Sequence, residues 1–327
     1  MGVSDLRRRP LAFVGIWLTL CLTSCGGSAA TPAPTSTPTQ SSWQVILTVN
    51  SARVDFGIPG IVLDGKGNLY LAEFDDNWIY KYSISGELVA KWGGHGTRPG
   101  QLEGPDKLAL DGQGNLYVTE VGTPLAGPAR IQKFSPTGKP LAQWGSFGSG
   151  PGQFINPIGI AVDHQGGIYV AEEAKPRVQK LSPLGQPLAQ WGALGSGPGQ
   201  FNMPYDLALD ASGNVYISEP NPFGPGNDRI QKFSPTGAPL AMWGTTGNSP
   251  GQFYQPTGLA VDSKNNVFVV DSGNNRVEEL SSTGRFVAQW RGPNSGFIFT
   301  SKVAVDDQGN MYVSAGNQVL KLVVRKA

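Results

Sequence analysis

The chain has 327 residues, a formal net charge of +1, two histidines and two cysteines. The near-zero charge argues against nucleic-acid binding, because no basic excess is available to neutralise phosphates. Two histidines and two cysteines are too few for a metal centre built from several imidazoles or thiolates. Apolar residues make up 39% of the chain, so a sizeable core can be buried.

The N-terminus has the pattern of a secretory signal peptide. Three arginines at positions 7–9 precede an apolar run at 11–22, and this run is too short for a membrane span, which needs about 20 residues. The sequence LTSC, ending at Cys25, resembles the lipobox at which bacterial lipoproteins are cleaved and acylated. We therefore predict a lipoprotein signal peptide at 1–24 and a lipid on Cys25, with an ordinary signal peptide and an incidental cysteine as the alternative.

Residues 25–42 are predicted to be a linker. Their stretch TPAPTSTPTQSS is rich in Ser, Thr and Pro, and such a composition has little to bury and forms an extended spacer. Cleavage before Cys25 leaves that residue as the only cysteine of the mature chain, so it has no disulfide partner. The expected location is the bacterial cell envelope, lipid-anchored, on the extracytoplasmic side.

Six ten-residue segments then recur at intervals of 47, 52, 47, 52 and 44 residues. Each begins with Asp, has Gly or Asn three residues later, and continues as alternating apolar residues around Tyr or Phe. Asp and Gly in this order favour a tight hairpin turn, and the alternation predicts a half-buried strand. Periods of this length indicate an array of repeated units. The segments are DGKGNLYLAE from Asp64, DGQGNLYVTE from Asp111, DHQGGIYVAE from Asp163, DASGNVYISE from Asp210, DSKNNVFVVD from Asp262 and DDQGNMYVSA from Asp306.

Each unit reads as four strands, which we name a to d. In the third unit, strand a is Pro157–Val162, the hairpin leads to strand b, strand c is Arg177–Leu181, and strand d is Pro187–Trp191. Four antiparallel strands in a unit of 44–52 residues are typical of a propeller blade. The predicted fold is all-β, a six-bladed β-propeller spanning residues 43–327.

The last unit lacks a fourth strand. It supplies strands at Lys302–Val305, Met311–Ser314 and Val319–Val323, and then the sequence ends. An apolar strand at Val45–Val49, ahead of the first unit, has no blade of its own. We therefore predict that this N-terminal strand completes blade six and closes the ring, which leaves no gap between the first and last blades.

Several motifs resemble NHL repeats: PIGIAVD at 157–163, GNLYVTE at 114–120, RIQKF at 130–134 and WGSFGSGPGQF at 144–154. The resemblance covers about residues 43–327 and implies a six-bladed propeller, a fold found in enzymes, receptor-kinase sensor domains and scaffold proteins. NHL-like lyases and the related lactonase propellers use His or carboxylate and Asn metal sites near the axis. No matching His cluster occurs here, and His95 and His164 are expected on opposite faces.

An acidic residue ends strand b in five units, and an arginine begins strand c in four of them. A repeated salt bridge across the b–c turn is the expected arrangement. Trp78 replaces the arginine in the first unit, which leaves Glu73, Asp75 and Asp76 as candidate ligands for a cation. The acidic residues are Glu73, Glu120, Glu172, Glu219 and Asp271, and the arginines are Arg130, Arg177, Arg229 and Arg276.

Strand a begins with Pro-x-Gly in units such as the third, but the Gly position is Lys107, Asp206 or Lys302 in the even-numbered units. Strand a is innermost in a propeller, so these side chains, with Asp106 and Tyr205, are predicted at the axial channel. They form a candidate site for a small polar or anionic ligand, with Lys–Asp pairing across the channel as the alternative. Two long b–c loops, Val121–Ala129 and Pro220–Asp228, are further candidates for binding.

The favoured prediction is a surface-anchored, non-catalytic binding or scaffold propeller for a protein, peptide or glycan. The alternative is a propeller hydrolase or lyase, resembling lactonases or amidating lyases, that acts on a small molecule at the axial channel. No cofactor is predicted, and a structural or catalytic divalent cation is left open. The protein is expected to be a monomer that contacts the membrane through its lipid only and binds no nucleic acid.

Overall fold

The computed structural model describes residues 42–48, 58–122, 127–221, 227–292, 297 and 302–323. Within these ranges, 24 strands form six separate four-stranded antiparallel sheets. In five sheets the strands are consecutive in the chain, and in the sixth the first strand lies beside the last. The predicted all-β, six-bladed propeller is therefore confirmed.

The strands are numbered in chain order, with four to a blade. The N-terminal strand is β1 (Ser42–Thr48); blade one is β2 (Gly60–Leu63), β3 (Asn68–Glu73), β4 (Trp78–Ser83) and β5 (Leu88–Gly93); blade two is β6 (Pro105–Leu110), β7 (Leu116–Glu120), β8 (Arg130–Phe134) and β9 (Pro140–Trp144); blade three is β10 (Pro157–Val162), β11 (Ile168–Glu172), β12 (Arg177–Leu181) and β13 (Pro187–Trp191). Blade four is β14 (Leu207–Leu209), β15 (Val215–Glu219), β16 (Arg229–Phe233) and β17 (Pro239–Trp243); blade five is β18 (Pro256–Val261), β19 (Val267–Asp271), β20 (Arg276–Leu280) and β21 (Phe286–Arg291), with a 3₁₀ turn at Ser272–Asn274; blade six is β22 (Val303–Val305), β23 (Met311–Ala315) and β24 (Gln318–Val323), together with β1.

The a–b hairpins form for the local reason that the sequence indicated. In blade two, Asp111 Oδ1 accepts the backbone N–H groups of Gln113 and Asn115 at 3.0 and 2.9 Å. Gly114 has φ +82°, a left-handed conformation that a glycine adopts without steric cost. Lys133 on strand c then lies 3.0 Å from Asp111 Oδ2, with its Nζ 4.9 Å from the centre of the Tyr117 ring. The Asp segments therefore serve to turn the chain and to seat strand b.

The hydrophobic core lies between blades rather than within them. Each of six clusters draws buried residues from two adjacent blades. In one cluster Tyr117 and Ile131 of blade two pack with Ile168 and Val170 of blade three, together with Phe154 from the connecting loop. Because each blade is a thin sheet, burial depends on the neighbouring blade, and the ring is stabilised as a whole.

Closure of the ring is confirmed, with a shifted strand. Strand β1 pairs antiparallel with β24, and Trp43 lies opposite Leu322. The strand begins at Ser42, three residues before the predicted start at Val45, because the ladder along β24 includes Gln44 as well as apolar residues. The predicted last residue, Val49, lies outside the described residues.

No helix within the described residues is long and apolar enough to span a membrane. The predicted signal peptide at 1–24 lies outside the described residues, as does all of the predicted linker at 25–42 except Ser42.

Candidate functional site

The axial ends of strands a alternate in character around the ring. Lys107, Asp206 and Lys302 stand in blades two, four and six, and their backbone N–H groups donate to hydroxyls on strand b at 2.9–3.1 Å. Those hydroxyls belong to Thr119, Ser218 and Ser314. The odd-numbered blades carry glycine at this position of strand a.

Glycine is required at this position in blades one and three because a neighbouring strand approaches it closely. A Cβ on Gly60 would lie 2.3 Å from the carbonyl oxygen of Asp106, and one on Gly159 would lie 2.9 Å from that of Tyr205. A side chain at either position would displace a backbone strand. A further sequence signal of this two-blade pattern was missed: the first four repeat intervals alternate between 47 and 52, and the residue before the last residue of strand b is Thr or Ser in blades two, four and six but Ala or Val in blades one, three and five.

Two ionic contacts fill the axial region. Lys302 Nζ lies 2.5 Å from Asp206 Oδ2 and donates to the carbonyl oxygen of Leu259 at 2.8 Å. Lys107 Nζ donates to the carbonyl oxygen of Pro59 at 2.6 Å and lies 3.8 Å from Asp106 Oδ1. The structure thus shows the Lys–Asp pairing that stood as the alternative to a ligand site.

The predicted ligand residues are brought together, and all of them are buried except the half-buried Tyr205. Lys107 is 1% exposed and Asp206 is 0% exposed, and Tyr205 places its ring 5.0 Å from the Lys107 ammonium. Burial lowers the pKa of Lys107, while the carboxylates of Asp106 and Asp206 act in the opposite direction. Among the described residues, Asp206 Oδ1 has no hydrogen-bond partner. Ligand binding by this cluster stays a prediction.

A second polar system, which we call the loop latch, recurs beside the b–c turns. In blade two, Arg130 Nε lies 2.7 Å from Glu120 Oε1, and its Nη2 donates to the carbonyl oxygen of Gln101 at 2.8 Å. Gln132 donates to the same carbonyl at 2.6 Å and accepts the N–H of Gly100 at 2.9 Å. The side chains of strands b and c therefore hold the backbone of the loop that enters the blade.

Four latches are present in the described part of the chain, each on one inter-blade loop. The expected salt bridges across the b–c turns are their centres, with N–O distances of 2.5–2.7 Å. The latches are Glu120, Arg130 and Gln132 on loop 94–104; Glu172, Arg177 and Gln179 on loop 145–156; Glu219, Arg229 and Gln231 on loop 192–206; and Asp271, Arg276 and Glu278 on loop 244–255.

The latched loops carry different side chains at an equivalent position. His95, Phe147, Leu194 and Thr246 each form an isolated bridge to a buried apolar residue seven positions later. Phe147 is 40% exposed and Leu194 is 74% exposed. A cavity of about 290 Å³ lies beside Leu194 and is lined also by Lys175 and Trp191. We call the surface formed by loops 94–104, 145–156, 192–206 and 244–255 the loop face.

Blade one departs from the latch, as its sequence indicated. Trp78 pairs in register with Glu73, and Lys91 Nζ lies 4.0 Å from the Trp78 ring. Glu73 Oε2 accepts the backbone N–H of Asp76 at 2.5 Å, so this carboxylate faces its own turn. In the residues that the structure describes, no group of three or more His, Cys, Asp or Glu side chains is arranged to hold a metal. The cation predicted at Glu73, Asp75 and Asp76 gains no support.

Blade five carries a departure that sequence reasoning missed. Strand c reads RIQKF, RVQKL and RIQKF in blades two to four but RVEEL in blade five, which puts Glu278 where the other latches have glutamine. Glu278 is fully buried, and this burial raises its pKa to about 7, against the opposing effect of Arg276. Alignment of the repeats shows Glu278 at the glutamine position, but the sequence does not show that Glu278 is buried.

The two long loops fall partly outside the described residues, at 123–126 and 222–226. The described end of the second loop is an anchor. Asp228 is fully buried, and its Oδ1 accepts the backbone N–H groups of Asn221 and Gln255 at 3.0 and 2.9 Å. Its other oxygen accepts the hydroxyl of Thr246 at 2.8 Å, which ties the loop to the neighbouring loop face.

Comparison with known proteins agrees with this architecture. The NHL repeat family model matches residues 253–279, which are the end of loop 244–255 and most of strands a to c of blade five. No curated protein sequence matches the chain.

Solved propellers show the same fold at low sequence identity. A streptogramin B lyase structure aligns with a TM-score of 0.61 and 15% identity, covering 87% of this chain and 98% of that one. A gluconolactonase from Xanthomonas campestris aligns with a TM-score of 0.56 and 17% identity, covering 80% and 84%. Virginiamycin B lyase from Staphylococcus aureus aligns with a TM-score of 0.59 and 14% identity, covering 87% and 99%. At these identities the likeness establishes the fold alone.

Proposed function

We propose that this protein is a non-catalytic binding platform that recognises a protein, peptide or glycan through the loop face. The observation that carries the proposal is the set of four buried latches. Each directs one guanidinium and one neighbouring side chain at the backbone of an inter-blade loop. The loops are thereby fixed by backbone contacts that do not depend on their exposed side chains.

Such an arrangement suits recognition. Loops that are already ordered lose little conformational entropy on binding, so more of the contact energy appears as affinity. The latches hold the loop backbone, so the residue type at one position can differ between loops without a change in the backbone. The residues at this position are His95, Phe147, Leu194 and Thr246. Functional residues concentrate on loops that a rigid scaffold positions in this way.

The proposal includes attachment to the cell envelope. A lipid on Cys25, followed by the Ser- and Pro-rich stretch up to residue 42, would hold the propeller at a distance from the membrane. Two or more acyl chains on one residue anchor a protein stably, whereas a single chain binds reversibly. The ligand would then be met on the extracytoplasmic side.

The test uses the purified propeller, residues 43–327, against peptide and glycan arrays and intact envelope fractions. A double variant, Phe147→Ser with Leu194→Ser, removes the exposed apolar side chains of the loop face. The matched control is Leu184→Ser, since Leu184 is 77% exposed in a c–d turn and Leu194 is 74% exposed. The proposal expects binding to survive in the control and to be lost in the double variant. Equal binding by both variants would contradict the use of this surface.

A second candidate is a small-molecule hydrolase or lyase that uses the axial cluster. The specific observation in its favour is the buried group of Lys107, Asp206 and Lys302 at the centre of the ring. Structural neighbours of the fold include proteins described as a streptogramin B lyase and a gluconolactonase. Incubation with gluconolactone and with a streptogramin B tests this candidate directly. Turnover that disappears in Lys107→Met would favour it over the binding platform.

A further inference from the structure

The latch of blade five differs from the others in one functional group. In blades two to four, the glutamine Oε1 accepts a loop glycine N–H at 2.9–3.0 Å. The glutamine Nε2 donates to the carbonyl oxygen of the next loop residue at 2.6–2.7 Å. Glu278 keeps the first contact, because its Oε2 accepts the N–H of Gly251 at 3.0 Å. Its Oε1 occupies the place of the amide nitrogen and has no proton to donate when ionised.

The charge of this latch is also different. A latch with glutamine contains one arginine and one carboxylate, whereas blade five contains Arg276, Asp271 and Glu278, all at most 3% exposed. Asp271 faces Glu278 from β19, and Arg276 lies on the same strand. Loop 244–255 carries no charged residue, its one ionisable side chain being Tyr254, and β21 contributes the neutral Gln289 and, opposite Arg276, the solvent-exposed Arg291. Ionised Glu278 therefore gives the buried latch one uncompensated negative charge.

The arginine does not remove this excess. Arg276 Nη2 lies 3.0 Å from Glu278 Oε1, but it is aimed at the carbonyl oxygen of Gln252, to which it donates at 2.7 Å. Glu278 Oε1 forms no hydrogen bond among the described residues. With the proton bound, Oε1 becomes a donor like the glutamine nitrogen, and the carbonyl of Gln252 regains the second donor that its counterparts have.

We propose that Glu278 is a proton-operated latch, which holds loop 244–255 when protonated and loosens it when the proton is lost. Burial raises the pKa of Glu278 to about 7, the charge of Asp271 acts in the same direction, and Arg276 and the Gly251 N–H oppose it. Thr246 lies in this loop, on the loop face, and its hydroxyl donates a hydrogen bond to Asp228. One sector of that face therefore changes with pH while the sectors latched by glutamine do not.

The experiment is amide hydrogen–deuterium exchange of the folded propeller from pH 4.5 to 8.5, corrected for intrinsic exchange. The amides of Gly251 and Gln252 report on loop 244–255, and those of Gly199 and Gln200 report on the matched loop latched by Gln231. Opening releases one proton while the pH lies between 4.5 and about 7. The opening constant of loop 244–255 should therefore rise by up to about tenfold per pH unit in this window and then level off.

Two variants separate this mechanism from general loosening. Glu278→Gln should make loop 244–255 as insensitive to pH as loop 192–206, and Gln231→Glu should transfer the pH dependence to loop 192–206. The proposal is overturned if both loops follow the same pH profile in the unmodified protein. Retained pH dependence of loop 244–255 in Glu278→Gln also overturns it. These readouts concern loop opening only, so they stand apart from the outcome of the ligand-binding test.

Discussion

Lys302 Nζ lies 2.5 Å from Asp206 Oδ2 and joins blade six to blade four past the intervening blade five. The same carboxylate oxygen accepts the backbone N–H of Leu259 in blade five at 2.7 Å, and the lysine donates to the carbonyl oxygen of Leu259 at 2.8 Å. Three blades are thus tied by one ion pair and one backbone residue. Because both side chains are buried, neither has water to replace its partner.

Removal of one partner of this pair should destabilise the propeller strongly. Asp206→Asn keeps the shape but leaves the Lys302 ammonium buried without its counter-charge, and we expect a loss of about 3–5 kcal/mol in the free energy of unfolding. Urea denaturation followed by tryptophan fluorescence measures it. The double variant Asp206→Asn with Lys302→Met should recover part of the loss, since it buries no lone charge. A single variant as stable as the parent would refute the role of the pair.

The arginine of a latch should matter far more than a lysine that reaches the same loop. Arg177 and Lys175 both donate to the carbonyl oxygen of Ser149, at 2.8 and 2.7 Å. Arg177 is buried against Glu172, however, so Arg177→Met leaves a buried carboxylate unpaired and should cost about 3–5 kcal/mol. Lys175→Met, on an exposed contact, should cost no more than about 1 kcal/mol. Comparable losses in the two variants would show that the latch is not the stabilising element.

Stability should fall as pH rises through the titration of Glu278. Its folded-state pKa is raised from 4.5 to about 7, so the folded protein holds a proton that the unfolded chain has released. The stabilisation is fully present below pH 4.5 and is lost as pH rises toward 7. At pH 8, Glu278→Gln should be more stable than the parent by on the order of 3 kcal/mol, with little difference at pH 4.5. Urea denaturation at both pH values measures this.

The control for the pH experiment is Glu87→Gln, a substitution at an exposed glutamate. It should leave the pH dependence of the parent unchanged. A Glu278→Gln variant whose stability runs parallel to that of the parent from pH 4.5 to 8 would contradict the assignment.

A turn glycine should be sensitive to a neighbouring tryptophan. Gly185 has φ +78°, and a Cβ there would lie 1.9 Å from Trp144 Cδ1 of the preceding blade. Gly309 has φ +81° with nothing within 4 Å of a Cβ, so it carries the same backbone strain without the collision. Gly309→Ala should cost about 1–2 kcal/mol, and Gly185→Ala should cost about 1–3 kcal/mol more because Trp144 must move. Equal losses would show that the tryptophan shifts freely.

Membrane attachment is expected to depend on Cys25. Cys25→Ser removes the acyl acceptor, so the full-length protein expressed in a bacterial host should move from the membrane fraction to the soluble fraction. Immunoblotting of the two fractions, with metabolic labelling by a palmitate analogue, measures this. Continued membrane association of the serine variant would contradict lipidation as the means of attachment.

The sequence predicted the propeller because the information for each hairpin is local. Asp163, the glycine three residues on and the apolar alternation specify one turn and one strand, and six copies specify six blades. In blade three, the predicted bounds of strands a, c and d agree with the structure. The salt bridge of Glu172 with Arg177 was predictable for the same reason, since the two residues flank one short turn.

The start of the N-terminal strand could not be predicted from local sequence. Its start at Ser42 depends on pairing with β24, at the far end of the chain, so apolarity alone placed it three residues late. Lys107, Asp206 and Lys302 were predicted at the axis from their breaks in the repeat, but their pairing depends on which blades face one another. The second function of Arg177, holding the backbone of loop 145–156, depends likewise on a contact across 24 residues of sequence.

The sequence by itself therefore determined the number of blades, the turns and the positions at which the repeat fails, because these follow from residue type and spacing. Tertiary structure alone decided what those exceptions do. Burial raises the pKa of Glu278 to about 7. The packing of the blades pairs Lys302 with Asp206 and brings Lys107 to the carbonyl oxygen of Pro59. Residue type gives the ordinary charge of a side chain, but its burial and its ionic partner depend on residues that are distant in the chain.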